Sequence, residues 1–178
     1  MQKSNIIFKS VRYLTLAAML TAVSVVIGII CKNFLDFGGV FRITFENLPI
    51  ILAGIVMGPA VGGMVGAASD LVSYLLSSQV YPPNLIVTAG AAAVGVVSGI
   101  CAKYAVKKRG TKQVIVSAAA AHLVGSMIIK TIGLYYLTFQ SVVVLWRIPI
   151  YLVIAPVEIV ILCLIFKQKN IRKLFEKI

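Results

Sequence analysis

Six apolar runs, each broken off by a short polar or basic stretch, restrict this chain more than any other feature. They cover residues 13–31, 47–57, 60–76, 84–106, 114–137 and 144–166. A helix crossing the hydrocarbon core of a bilayer needs about 20 mostly apolar residues. Six such helices take up roughly 120 residues, which leaves only short loops and tails in a chain of 178. Hydrophobic residues make up 60% of the chain and charged residues 12%. A soluble domain carries roughly a quarter charged residues, so a water-exposed surface is excluded. The sequence therefore predicts an all-α integral membrane protein, a single domain over 1–178 built as a six-transmembrane-helix bundle. The first run is longer than a signal-peptide core. Ile30 before Cys31 is also too bulky for a processing site, so the run reads as a retained first span.

The net charge of +12 raises the question of nucleic acid. The placement of the charge answers it. Thirteen of the 17 basic residues fall in three patches: Lys3, Lys9 and Arg12; then Lys103, Lys107, Lys108, Arg109 and Lys112; then Lys167, Lys169, Arg172, Lys173 and Lys177. Membrane proteins concentrate Lys and Arg in cytoplasmic loops. An even number of spans puts both termini and all three patches on one side, the cytoplasmic one, whereas five spans would scatter them. The second run, at about 11 residues, tilts or stops short of the far interface. Small residues four apart mark close helix contacts: Ala18 and Ala22, Gly62 and Gly66, and Ala91, Gly95 and Gly99. Cys31, Cys101 and Cys163 lie far apart in apolar runs and read as small packing residues.

Charges inside a bilayer are costly and face a cavity or a partner. Asp70 sits near the middle of the third run. Lys130 lies about 18 residues beyond Lys112, roughly 27 Å along a helix, in the outer part of the fifth. Arg147 opens the last run, and Glu158 lies deeper in it. The loop over 32–46 adds Arg42 and Glu46. The same outer half holds Tyr74, Tyr81, Asn84, Tyr135, Tyr136, Gln140, Trp146 and Tyr151. Flat apolar walls with a few orienting polar groups make a small-molecule pocket. Interfacial aromatics also form belts in any membrane protein, and Lys130 and Arg147 are long enough to snorkel; Asp70 is too short to do so. His122 reads as a hydrogen-bonded packing residue, and Glu158 as the partner of another helix. The sequence has no phosphate-cradling loop, no histidine pair at metal spacing, no nucleophile beside a base and no evident inverted repeat. An enzyme is not expected, nor a cofactor or metal. A binding subunit that takes its energy from elsewhere is.

Three stretches carry a family likeness. They are Ala17-Ala18-Met19-Leu20-Thr21-Ala22; the run from Arg42-Ile43-Thr44-Phe45 through Leu48-Pro49, Ala53-Gly54 and Gly58-Pro59 to Gly66 and Asp70; and Arg147 with Pro156-Val157-Glu158. In these the chain resembles the substrate-binding S components of energy-coupling factor (ECF) vitamin transporters, and most of all their folate-specific branch. That branch often has an aromatic-Pro-Gly-aromatic run between spans 3 and 4, where this chain has Tyr81-Pro82-Pro83-Asn84. The resemblance implies high-affinity binding of a vitamin, most of all folate, from outside a bacterial cell membrane. It implies uptake with one ECF transmembrane subunit and two ATPase subunits, docking through Ala18 and Ala22, and toppling of the S component in the bilayer. The 32–46 loop, with Gly38 and Gly39, would act as a lid. The candidate ligand residues are Arg42, Asp70, Tyr74, Tyr81, Asn84, Lys130, Tyr136, Arg147 and Tyr151. Asp70 would accept the paired N–H groups of a pterin edge, the tyrosines would stack on its rings, and Arg42, Lys130 or Arg147 would meet the glutamate tail. Thiamine, riboflavin or a queuosine precursor stays open as the ligand, as does a self-sufficient small transporter or channel.

Overall fold

The computed structural model describes residues 11–37, 41–76, 84–105, 110–138 and 141–168. Its helices are α1 (Val11–Phe34), α2 (Asn47–Met57), α3 (Pro59–Leu76), α4 (Leu85–Ile100), α5 (Thr111–Ala121), α6 (Lys130–Thr138) and α7 (Ser141–Lys167). A π-helical turn, Cys101–Ala105, extends α4, and another, His122–Ile129, joins α5 to α6. Among the described residues, five helical stretches are long and apolar enough to cross a membrane: Tyr13–Phe34, Pro59–Leu76, Leu85–Tyr104, Thr111–Tyr136 and Pro149–Lys167. The shorter α2 coincides with the second apolar run. At about 1.5 Å per residue it reaches only about half way across a core of about 30 Å.

One short non-helical element joins the all-α architecture. Between α1 and α2 the chain forms a two-stranded antiparallel ladder, β1 (Asp36–Phe37) and β2 (Phe41–Arg42), with Asp36 opposite Arg42. Backbone N–H and C=O groups close to lipid need partners. The ladder supplies them, along with the bond from Ile43 N to Leu35 O at 3.2 Å. Two-residue strands have no periodicity that a sequence could reveal. Lys32, expected in this loop, belongs instead to the last turn of α1. Gly38 and Gly39 lie outside the described residues.

α2 is the helix the others surround. Its residues Asn47 and 49–54 are buried, and Ile50, Ile51, Leu52 and Ala53 pack with Val61, Val65, Val94, Val114, Ala118, Ala121 and Leu162. Glycine makes that density possible. A methyl group on Gly62 would run into the backbones of Gly54 and Gly95, and one on Gly66 into that of Ala91. So α2, α3 and α4 meet backbone to backbone, as the four-residue spacing of small residues predicts. The turn from α2 to α3 depends on Gly58, whose φ of 93° suits glycine. Its N–H donates to Gly54 O at 3.0 Å, and Pro59 then opens α3 with a φ already helical.

The outward faces are apolar. Leu75, Leu85, Leu152, Val153 and Leu164 are all exposed. In water such a surface would aggregate; in a bilayer it is the solvated face. Inside, the polarity is inverted: Ser24, Asn47, Ser98, Ser117, His122, Ser126, Lys130 and Glu158 are all buried.

The glycine contacts give a direct test. Gly95→Ala should lower the unfolding temperature of detergent-purified protein clearly, in line with overpacking costs of about 1–3 kcal/mol. Gly110→Ala, which meets nothing within 4 Å, should leave it unchanged.

Candidate functional site

A narrow cleft of about 10 Å³, room for little more than one water, opens among the first four helices. Ser24 of α1, Glu46 and Ile50 at the start of α2, Ser69, Asp70 and Ser73 of α3, and Ala91 of α4 line it. Each arrives there for a local reason. Ser69 and Ser73 are buried one turn apart on α3, and Asp70 follows Ser69 on the same side. Ser24 donates to the backbone carbonyl of Glu46 at 2.7 Å and so ties α1 to the head of α2. Thr88 of α4 donates to Asp70 Oδ2 at 2.6 Å, which fixes the carboxylate. Lys32 Nζ donates to Ser73 Oγ at 3.0 Å and to Ser73 O at 3.3 Å. The polar part of this lining is two carboxylates and three hydroxyls. It favours a ligand edge that presents hydrogen-bond donors, set against the apolar Ile50 and Ala91. Small-molecule sites occupy roughly 300–1,000 Å³, so a drug-sized ligand enters only if this cleft opens.

Behind Glu46 stands Lys130, 3% exposed. Its ammonium donates to Glu46 Oε1 at 3.2 Å and to Asn47 Oδ1 at 3.0 Å. Asn47 in turn donates to Ser126 Oγ at 3.3 Å. Bonds from i to i+5 widen the turn of the π segment, and His122, Ser126 and Lys130, four residues apart, are all buried on one face. The polar column continues to His122 and Glu158, whose Nε2 and Oε2 lie 2.8 Å apart. The two atoms are close enough for an ion pair but are not aligned as a hydrogen bond, and both side chains are fully enclosed. Tyr151, also buried, packs its ring 6.4 Å from that of His122. This pair joins the π segment to α7 and lies away from the cleft lining.

The structure brings together some of the expected ligand residues and separates others. Asp70 lines the cleft, and Lys130 stands behind it. Tyr74 is half-buried one turn beyond Asp70 on α3. Asn84 caps α4: its side chain accepts from Ile86 N at 2.9 Å and donates to Gly133 O at 2.7 Å. Tyr136 is 60% exposed and sits edge-on to Tyr135 on the outer surface. Tyr151 lies beside His122. Tyr81 lies outside the described residues, as do the side chains of Arg42 and Arg147; their backbones belong to β2 and α7, which pack together. Ala18 and Ala22 are exposed on the outer face of α1. Sequence reasoning did not count Glu46 as a ligand residue, and it missed Thr88, Asn47 and Ser126. For Glu46 a signal existed: it is one of only five acidic residues and stands directly before an apolar run.

Comparison with known proteins decides the family. Residues 12–167 match the family described as "ECF transporter, substrate-specific component". The chain belongs to this family. A relative, the folate transporter FolT of Clostridium novyi (strain NT), is 29% identical over 108 residues, which cover 60% of this chain and 60% of the relative. A solved structure, "Crystal structure of FolT bound with folic acid", superimposes with a TM-score of 0.68 at 21% identity, covering 86% of this chain and 91% of that one. The fold of this substrate-specific component is therefore that of a multi-pass membrane transporter subunit.

The His122–Glu158 contact generates a stability prediction. Glu158→Leu should destabilise the protein by about 3–5 kcal/mol, the loss seen when one partner of a buried pair is removed. His122→Leu added to it should recover most of that loss, read as the unfolding temperature in detergent.

Proposed function

We propose that this chain is the folate-binding S component of an ECF transporter in a bacterial plasma membrane. It takes folate from the outside and delivers it with a separate module of one transmembrane subunit and two ATPases. In this reading the whole of 1–178 is one six-span domain, with both termini and the basic patches in the cytoplasm. The donor-seeking cleft around Asp70 carries the reading. A pterin edge offers adjacent N–H donors, and a carboxylate already oriented by Thr88 accepts them as charge-assisted bonds. Ile50 and Ala91 supply apolar wall for a flat ring. The glutamate tail of folate is anionic. It would leave the cleft toward β2 and α7, the packed elements that carry Arg42 and Arg147. The relative and the solved structure are both folate proteins, which favours folate over other vitamins.

In this reading the 32–46 segment serves as the lid, and folate, larger than the cleft as it stands, requires the cleft to open.

Equilibrium titration of purified protein with folate tests the reading. Saturable binding at submicromolar folate is expected. Asp70→Asn should weaken it roughly ten- to a hundred-fold, the range of net hydrogen bonds to charged groups. Tight binding of thiamine or riboflavin with none of folate would move the ligand and keep the family.

Docking calls for a separate readout. Ala18→Trp or Ala22→Trp, both on the exposed face of α1, should spare folate binding and abolish uptake in cells supplying the energising module. Loss of binding itself would assign that face to bundle packing.

A further inference from the structure

A hydrogen bond has a direction, and around the cleft three hydroxyls point theirs away from any ligand. Ser69, 3% exposed, donates to Val65 O one turn back on α3 at 2.6 Å. Ser24, also buried, donates to Glu46 O at 2.7 Å. Thr88 donates to Asp70 Oδ2 at 2.6 Å, with Asn84 O 3.3 Å away as its second neighbour. A backbone carbonyl or an ionised carboxylate can only accept. The partner therefore fixes the direction of each bond. A hydroxyl has one hydrogen and two lone pairs, so each of the three has committed its hydrogen and keeps only the capacity to accept.

Of these, Ser69 is held most independently of the rest. Its bond lies within one helix and does not depend on how far apart the helices around the cleft stand. Serine bonds of this kind, from a side chain to the carbonyl four residues earlier, are a known local alternative for the hydroxyl. The Thr88–Asp70 bond joins α3 to α4 one turn from Gly66, where those two helices meet backbone to backbone. The Ser24 bond, by contrast, crosses from α1 to the head of α2. Ser69 and Asp70 are successive residues of α3, and both line the cleft.

The pterin of folic acid carries three ring-edge hydrogens, one on N3 and two on the 2-amino group. In the folate reading Asp70 takes the N3 hydrogen and one amino hydrogen. The second amino hydrogen is the ring donor left over. We propose that Ser69 is a specificity-determining residue that accepts this hydrogen, kept acceptor-only by its bond to Val65. This rests on the folate reading and adds a rule of exclusion to it. A ring with a carbonyl in place of the 2-amino group is refused, because neither Asp70 nor the Ser69 hydroxyl as bonded has a hydrogen to give it.

The test titrates two ligands, folic acid and its 2-desamino-2-oxo analogue, against wild type and Ser69→Ala. Both proteins are first checked for a folded, monodisperse state in detergent. Alanine suits a helix interior, and Val65 O keeps the backbone N–H of residue 69 as its helical partner, so the variant should fold. Wild type should prefer folic acid at least a hundredfold, as a site built for one hydrogen-bond polarity rejects the other. Ser69→Ala should bind folic acid about tenfold more weakly, near the upper range for one neutral hydrogen bond. It should bind the oxo analogue no more weakly than wild type does, so the preference shrinks. An equal loss for both ligands, or no change for either, would make Ser69 structural and overturn the inference while the folate reading stands. Wild type binding both ligands alike would overturn it too. Absence of folic acid binding by wild type would overturn both readings.

Discussion

An ammonium group inside a bundle of apolar helices is tolerable only if acceptors come to it, and Lys130 imposes that condition on everything around it. It is 3% exposed and finds Glu46 Oε1 and Asn47 Oδ1, more than 80 residues away in sequence. Both acceptors sit where α2 begins. Pairing them with α6 fixes the head of α2 against the far side of the bundle. Ser126 takes up the remaining amide of Asn47, and the wide π turn lets Ser126 and Lys130 share one face. Ser24 fastens the same point to α1. The cleft therefore owes its shape to a network that itself lies mostly behind it.

The second constraint is space. α2, α3 and α4 touch largely backbone to backbone through Gly54, Gly62, Gly66, Gly95 and Gly99, with the Ser98 hydroxyl also against Gly54. Close backbone approach gives dispersion contacts in a medium where the hydrophobic effect between helices is absent. It also makes this part of the bundle stiff. Between α1 and α2, by contrast, the described backbone is held by a ladder of two pairings.

Much of this was legible in the sequence. The six apolar runs located the helices, and the Gly58-Pro59 pair ended α2 at the right place. Gly62, Gly66 and Gly95 announced the α3–α4 contact by their spacing. Asp70 stood out because a short carboxylate in an apolar run has no route to water. The pairing of charges was not legible. Nothing local links Glu46 to Lys130, Thr88 to Asp70 or His122 to Glu158, since each pair is brought together by tertiary packing. Asn84 has a structural role that composition did not reveal, since its position before α4 makes it a helix cap. Tyr136 is exposed on the outer surface, and an aromatic near a helix end faces lipid as readily as a pocket.

The most direct test of the account is a structure of the protein with folate bound. The account predicts the pterin ring in the cleft between Ile50 and Ala91, with Asp70 within hydrogen-bonding distance of its N3 and 2-amino nitrogens. A pterin lying elsewhere, or a cleft still closed around Asp70 with folate bound at another surface, would contradict it.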